Sequence, residues 1–322
     1  MATAALINPD ISIIPIADAD LAGLEILFDE ECAEWLDVLK WDYKGASMLI
    51  RDVARQHQLS GFVAVSGNVI IGFAYYVIEG SRCSIGDIYV SKAWRGIGLD
   101  REMANAILDE LGTVRRLRRI ESQYVGAGND EADALFRERS FERLERSYML
   151  VELRGGEHRD RRAESPGISI RHWQSADFAQ AARVVHRSYR GKHDSLINSQ
   201  YRTVQGCADL MTILTDHFWC GDFLPDVSLV AVRSSGALAG VLIASRVSSG
   251  VGHLGQISVH PAHQGRGIGR RMIETALSEF RQRGYKSVTL AVTTANTNAH
   301  HLYESCGFRT IHTFPVFYRE KR

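Results

Sequence analysis

Two stretches of the chain are near copies of each other: VSKAWRGIGLDREM at residues 90–103 and VHPAHQGRGIGRRM at 259–272. Each follows an apolar run with strand character, CSIGDIYV at 83–90 or HLGQISV at 253–259, and each leads into a stretch with helical spacing. The valines before the two loops stand 169 residues apart, and the asparagines that open a later helical stretch, Asn129 and Asn296, stand 167 apart. An offset that holds across strands, loops and helices means one supersecondary plan used twice. The length of 322 residues accommodates it, since two domains of about 150 residues each can bury a core.

The rest of the chain follows the same repeat. Paired apolar runs at 61–80 and 228–247 read as hairpins, with turns at Ser66-Gly67-Asn68 and Ser234-Ser235-Gly236. Each half then continues with a further strand, the glycine loop, a helix, a strand, a short helix and closing strands. Between Leu153 and Ile168 runs RGGEHRDRRAESPG, charged and with almost nothing to bury. The expected division is therefore a first domain at 1–153, a linker at 154–166 and a second domain at 167–322. Strands and helices in this order imply an α/β sheet with helices on both faces, built twice.

Composition narrows the function classes. The 38 basic and 38 acidic residues balance to zero, which argues against nucleic acid as a partner. The RRLRR run at 115–119 reads as a solvated helix end, with contact to something acidic as the alternative. Five scattered cysteines without CxxC spacing point away from zinc and from a disulfide framework, and toward a reducing cytoplasm. His260, His263, His300, His301 and His312 show no ligand spacing, so no metal is expected. No run offers the ~20 apolar residues of a membrane span, and the N-terminus has no basic leader.

A glycine run between a strand end and a helix start presents backbone N–H groups at the positive end of the helix dipole, with no Cβ atoms in the way, which suits a phosphate. The spacing is not GxGxxG and the loop follows the fourth strand, so a dinucleotide fingerprint does not fit. A second element, NTNAHHLYESCGF at 296–308, carries a capping Asn296, inward Ala299 and Leu302, and Tyr303 one turn beyond Ala299.

Together these elements resemble the GNAT superfamily of acyl-CoA-dependent N-acetyltransferases. Its signature joins a strand ending in Val to Q/R-x-x-G-x-G/A and, later, N-x-x-A-x-x-L-Y-x-x-x-G-F. Both parts stand here without a gap, as Gln264-Gly265-Arg266-Gly267-Ile268-Gly269 and as Asn296 to Phe308, within a resemblance covering roughly residues 167–320. It implies two tandem domains, each a mixed, mostly antiparallel sheet splayed at its fourth and fifth strands with helices on both faces. It also implies acetyl-CoA in the wedge, its pyrophosphate on residues 264–269. Ile257, Ser258 and Val259 would hold the pantetheine and polarise the thioester carbonyl, with Asn296 at the opposite helix. Tyr303 would protonate the departing thiolate. In several relatives a His or Glu six residues before the strand's final Val acts as the base; here that residue is His253, with a chain of water as the alternative. Strict alternation back from Val259 through 257 and 255 puts His253 on the same face as Val259.

The first copy departs at the chemical positions: Asp100 for Gly269, Phe136 for Tyr303, Ser140 for the glycine before Phe141, and Ser84 at the base position. A phosphate beside Asp100 would meet like charge, a repulsion of about 1 kcal/mol at 4 Å even in water. The first domain is thus expected to be non-catalytic, with loose retention of CoA as the alternative. On the acceptor side, residues 188–228 offer Asp194, Asp222 and Asp226 for an ammonium, and Tyr201 and Trp219 for an aromatic wall. The activity implied is acetyl transfer from acetyl-CoA to a primary amine of a small metabolite. A protein N-terminus or lysine is the alternative acceptor, and an acyl-CoA sensor without catalysis is the alternative class.

Overall fold

The computed structural model describes residues 10–123, 130–153, 167–216 and 220–321. The expected linker at 154–166, and with it Asn129 and Trp219, lie outside the described residues. The first half of the chain forms strands β1 (Ile11–Pro15), β2 (Ser60–Ser66), β3 (Val69–Glu79), β4 (Arg82–Val90), β5 (Arg119–Gln123) and β6 (Glu142–Glu152). Helices α1 (Leu21–Leu39), α2 (Lys44–Arg55), α3 (Leu99–Thr113) and α4 (Asp130–Glu138) connect them. The second half repeats the order: β7 (Ile168–His172), α5 (Phe178–Tyr189), α6 (Asp194–Ile197), α7 (Val204–Asp216) and a two-residue β8 (Asp222–Phe223). Then follow β9 (Leu229–Arg233), β10 (Leu238–Ser248), β11 (Val251–Val259), α8 (Ile268–Gln282), β12 (Ser287–Thr293), α9 (Thr297–Ser305) and β13 (Arg309–Glu320). Among the described residues no helix is long and apolar enough to cross a membrane.

Two compact units result, and they do not follow a linear division at residue 153. The first comprises residues 1–38, 47–145 and 313–322, the second residues 39–46 and 146–312. The closing strands are exchanged. In the first unit β5 pairs antiparallel with the end of β13, from Val316 opposite Gln123 to Glu320 opposite Arg119. In the second, β12 pairs antiparallel with the end of β6, from Ser287 opposite Glu152 to Thr293 opposite Arg146. Each half of the chain thus supplies the strand that completes the other half's sheet.

Within each unit the neighbouring strands run antiparallel except for one pair. In the first unit β4 and β5 are parallel and pair only from Arg82 to Ile85. In the second, β11 and β12 are parallel and pair only from Val251 to Leu254. Both pairs then part, and the wedge so opened is the splay expected at the fourth and fifth strands. Helices cover both faces. In the second unit Met272, Ile273, Ala276, Leu277 and Phe280 of α8 pack on one face of the sheet. Ala181, Ala182 and Val185 of α5, with Cys207 and Met211 of α7, pack on the other. The period of 3.6 in the sequence becomes, on each helix, one stripe against the sheet.

Two sequence expectations need correction. Arg119 of the RRLRR run is not on a solvated helix end: it opens β5, is buried, and pairs with Glu121 and with Glu320 of the exchanged strand. Leu117 beside it belongs to the core. The replacement of glycine by Ser140 is a matter of backbone, since Gly307 and Ser140 both adopt left-handed φ, 91° and 61°. The same turn is made in both copies, at some strain where the residue has a Cβ.

Phe136, where the second copy has Tyr303, is fully buried and stacks on Phe317 with ring centroids 4.7 Å apart. Phe317 lies four residues from the last described position yet anchors the first unit's core. Replacing Phe317 with Ala should therefore cost about 3–5 kcal/mol of stability, as for other buried phenylalanines. Denaturant titration of the full chain measures this, and a loss below about 1 kcal/mol would mean that the exchanged strand is not part of the core.

Candidate active site

The second glycine loop leaves β11 at Val259 and enters α8 at Ile268. Gly265 and Gly267 both take φ of 74°, a left-handed pair that reverses the chain between strand and helix. The Gln264 side chain closes the turn, its Nε2 donating to the Val259 carbonyl at 2.9 Å. The space above the loop is open: a methyl group added at Gly265 or Gly267 would meet no atom within 4 Å. The amides of Gly265, Gly267, Ile268 and Gly269 donate to no backbone acceptor among the described residues. Unpaired N–H groups at a helix start, with room above them, form an anion seat. Arg266 is exposed beside it, and the Ile268 side chain is buried beneath.

From Gln256 to Val259, β11 is paired on the β10 side and free of β12. The edge carrying Ile257, Ser258 and Val259 therefore faces the wedge with its backbone groups unclaimed by a strand. At the far wall Asn296 caps α9, its Oδ1 accepting from the Ala299 amide at 3.4 Å. Tyr303, seven residues further on and so on the same helix face, is buried and packs edge-on against Phe308. Its hydroxyl makes no hydrogen bond among the described residues. Burial above all, with Tyr189 and Asp194 adding, pushes its pKa up and keeps the phenol protonated.

His253 is where the simple alternation fails. Its strand has a bulge: Gln256 pairs with Ile243 and Leu254 with Ala244, which leaves Gly255 as the extra residue. Leu254, Ile257 and Val259 accordingly face the α8 core, whereas His253 does not share their face. It is buried between Trp41, 4.9 Å away by ring centroids, and Tyr148 at 6.1 Å, and its Nδ1 meets the Thr289 hydroxyl at 2.9 Å. Burial, assisted by the charge of Arg146, pushes its pKa down to about 3.

Trp41, Arg146 and Tyr148 come from upstream of residue 153 yet belong to the second unit. Nothing in the sequence marked them for this site, because no local pattern states which strand a β-segment will join. The same face holds a polar network. Tyr189 and Tyr201 stack at 4.0 Å; the Tyr201 hydroxyl donates to Gln256 Oε1, and Gln256 Nε2 donates to the Tyr189 hydroxyl, both at 3.1 Å. Of the acidic acceptor candidates, Asp222 is spent on a surface pair with Arg246 and Asp226 is exposed. Asp194 is buried and accepts from the Thr293 hydroxyl at 2.6 Å.

The first loop has the same backbone and a different surface. Gly96 and Gly98 take φ of 80° and 85°. Asp100 turns its carboxylate onto the N-termini of two helices, accepting from the Ala132 amide of α4 at 2.9 Å and from Arg101 of its own helix. Glu131 leans over the loop so that a methyl group at Gly98 would sit 3.1 Å from its carboxylate. Arg95, the counterpart of Gln264, is held by Glu34 at 3.1 and 2.6 Å. Asp100 was legible in the sequence as an obstacle to phosphate. Glu131 was not, since its direction depends on how α4 packs.

A wedge between parallel strands, an open amide loop at a helix start and a tyrosine on the following helix define an acyl-CoA-type transferase architecture. The chain belongs to the acetyltransferase (GNAT) family, which matches it twice, over residues 22–141 and 197–308. It is 30% identical over 150 residues to the mycothiol acetyltransferase of Propionibacterium freudenreichii subsp. shermanii, a match covering 46% of this chain and 45% of that protein. The match thus spans less than half the length of that relative. Among solved structures, the GCN5-related N-acetyltransferase from Sphaerobacter thermophilus superposes with a TM-score of 0.65 at 18% identity, covering 98% of this chain and 96% of that one. A tandem GNAT protein from the clavulanic acid biosynthesis pathway gives 0.57 at 16% identity, covering 96% and 98%. These likenesses establish the tandem GNAT fold.

The state of His253 has a measurable consequence. Its folded pKa lies below the ordinary 6.5, so the unfolded chain takes up a proton that the folded chain refuses in the window from about 6.5 down to about 3. Above that window the histidine contributes no pH dependence. Within it, stability should fall by about 1.4 kcal/mol per pH unit from this group alone. Replacing His253 with Gln should make the acid-side loss shallower by that amount in denaturant titrations at neutral and mildly acidic pH. An unchanged slope would show that the ring is protonated in the folded protein.

Proposed function

We propose that the protein moves an acetyl group from acetyl-CoA to a primary amine of a small metabolite, in the second unit, while the first unit is non-catalytic. The observation that carries this reading is the contrast between the two loops: a methyl group at Gly267 would meet nothing within 4 Å, whereas at its counterpart Gly98 it would sit 3.1 Å from the Glu131 carboxylate, and Asp100 stands at the Gly269 position with its carboxylate on the Ala132 amide. The small-molecule acceptor takes support from the mycothiol acetyltransferase relative. Five free cysteines agree with work in the cytoplasm.

Acetyl-CoA would supply the acyl group already activated as a thioester. The amides of Gly265 to Gly269, fixed by Gln264 and flanked by Arg266, would hold its pyrophosphate. Backbone groups of Ile257 to Val259 would orient the pantetheine and stabilise negative charge on the carbonyl oxygen, with Asn296 on the opposite wall. Tyr303, held protonated in its buried setting, would give its proton to the leaving sulfur. His253, neutral across the working range, would take the amine's proton directly or through water, although its depressed pKa makes it a weak base.

Incubating the full-length protein with acetyl-CoA and glucosamine, ethanolamine, putrescine or a lysine-containing peptide should release CoA with at least one small amine. CoA binding without release from any of them would make the protein an acyl-CoA binder, and release with the peptide alone would make it a protein acetyltransferase. Changing Tyr303 to Phe should lower kcat by about a hundredfold or more with acetyl-CoA affinity unchanged, because only proton donation is removed. Equal turnover would remove Tyr303 from the role of acid. Gly269→Asp copies the first loop, and the site admits it, since an added methyl group meets its nearest atom, Leu302 Cδ2, at 3.4 Å. Affinity for acetyl-CoA should fall by about fivefold or more, corresponding to one like charge beside the phosphate. Calorimetry that finds the affinity intact would refute the electrostatic account of the first loop.

A further inference from the structure

Asp194 is a buried carboxylate with only neutral partners. Its Oδ1 accepts from the Thr293 hydroxyl at 2.6 Å and its Oδ2 from the Asn296 side-chain amide at 3.4 Å. No Lys, Arg or His forms an ion pair with it among the described residues, although its side chain is almost wholly out of solvent. An ionised carboxylate offers about four acceptor sites, and two are used here. Burying such a charge without a cation is costly, and a structure that tolerates it commonly has a cationic partner that arrives later.

The position of Asp194 says what that partner is. Thr293 is the last residue of β12, where the strand has already parted from β11, and Asn296 is the cap of α9. The carboxylate, carried by the first residue of α6, therefore stands where β12 has parted from β11, beside the cap of the helix that carries Tyr303. Its charge is felt by the phenols of Tyr189, Tyr201 and Tyr303, each of which it makes harder to ionise. The opposing charge near the same phenols is Arg146 of β6, whose Nη2 donates to the Ala291 carbonyl at 3.2 Å. The two stacked tyrosines and Gln256 provide a polar, aromatic wall next to the carboxylate.

We infer that Asp194 is the seat for the acceptor's primary ammonium group, which it holds by a charge-assisted hydrogen bond at the mouth of the wedge. This rests on the acetyl-transfer reading, because it assigns the substrate's cationic end to that same site. The acceptor is then a molecule whose amine arrives protonated, and recognition of it comes before any proton is removed. Asp194 acts in binding. Thr293 and Asn296 act as positioning residues that fix the carboxylate.

The test uses the full-length protein and whichever small amine of the four-member panel is turned over fastest. Replacing Asp194 with Asn should raise that amine's Kd, measured calorimetrically without acetyl-CoA, by about tenfold to a hundredfold, the usual range for a hydrogen bond to a charged group. KM for the amine should rise in parallel, while acetyl-CoA affinity stays as in the wild type. Replacing Thr293 with Val removes a donor but keeps the charge, and should weaken amine binding far less. An amine Kd in Asp194→Asn within twofold of wild type, or a Thr293→Val variant that loses as much, would overturn the assignment. If Asp194→Asn does not fold, the wild type decides. The hydroxyl analogue of the amine must then fail to compete for the site, and effective competition overturns the inference. Absence of turnover by the wild type with every small amine would overturn the acetyl-transfer reading itself, a result distinct from an unaffected Asp194 variant.

Discussion

The exchange of closing strands is the constraint on which both units depend. A parallel pair that splays leaves the following strand with an open edge, and an open edge must be paired if the sheet is to be stable. Here β12 receives Arg146 to Glu152 from the first half of the chain, and β5 receives Val316 to Glu320 from the second. The hydrogen bonds are ordinary antiparallel ladders; the unusual part is the sequence separation they bridge. Each ladder also brings side chains. Phe317 fills the core beneath Phe136, and Tyr148 packs beside His253 with its hydroxyl donating to Thr289 at 3.1 Å.

The first half of the chain therefore supplies parts of both units. The segment 39–46 brings Trp41 against His253, and β6 brings Arg146 and Tyr148. All three precede residue 153. A second half cut away from the first would lose a sheet strand and the aromatic walls around its buried histidine together. What the first half of the chain gives the second unit is therefore pairing and burial, supplied by residues 39–46 and by β6.

What the sequence disclosed and what it concealed divide along the range of the interactions. The glycine loop, the cap at Asn296 and the stripe of α8 are set by residues within a few positions of each other, so a local pattern announces them. The orientation of His253 depends on one extra residue at Gly255, and alternation cannot register a bulge that its partner strand imposes. Partner choice for β6 and β13 is less visible still, because an apolar strand fits one sheet edge about as well as another. The role of Asp194 lay in between. The residue could be singled out as acidic and near the acceptor side, but only the packing showed that Asp222 is already paired and Asp194 is not.

The two loops separate what a glycine motif owes to folding from what it owes to a ligand. Their left-handed pairs are nearly superimposable in φ, 80° and 85° against 74° and 74°, although Glu131 crowds Gly98 and nothing crowds its counterpart Gly267. The turn from strand to helix demands those conformations whether or not a phosphate is bound, so the glycines persist in both. A ligand makes a different demand: the amides must stay unpaired and free of negative charge. In the first copy Asp100 satisfies the amides of Ala132 and Arg101, and Glu131 covers the approach. The amide hydrogen bonds favour the charged carboxylate of Asp100, but burial outweighs them and pushes its pKa up. A carboxylate at that position takes up amides at two helix starts, so the first loop keeps its turn while offering fewer free donors to an anion.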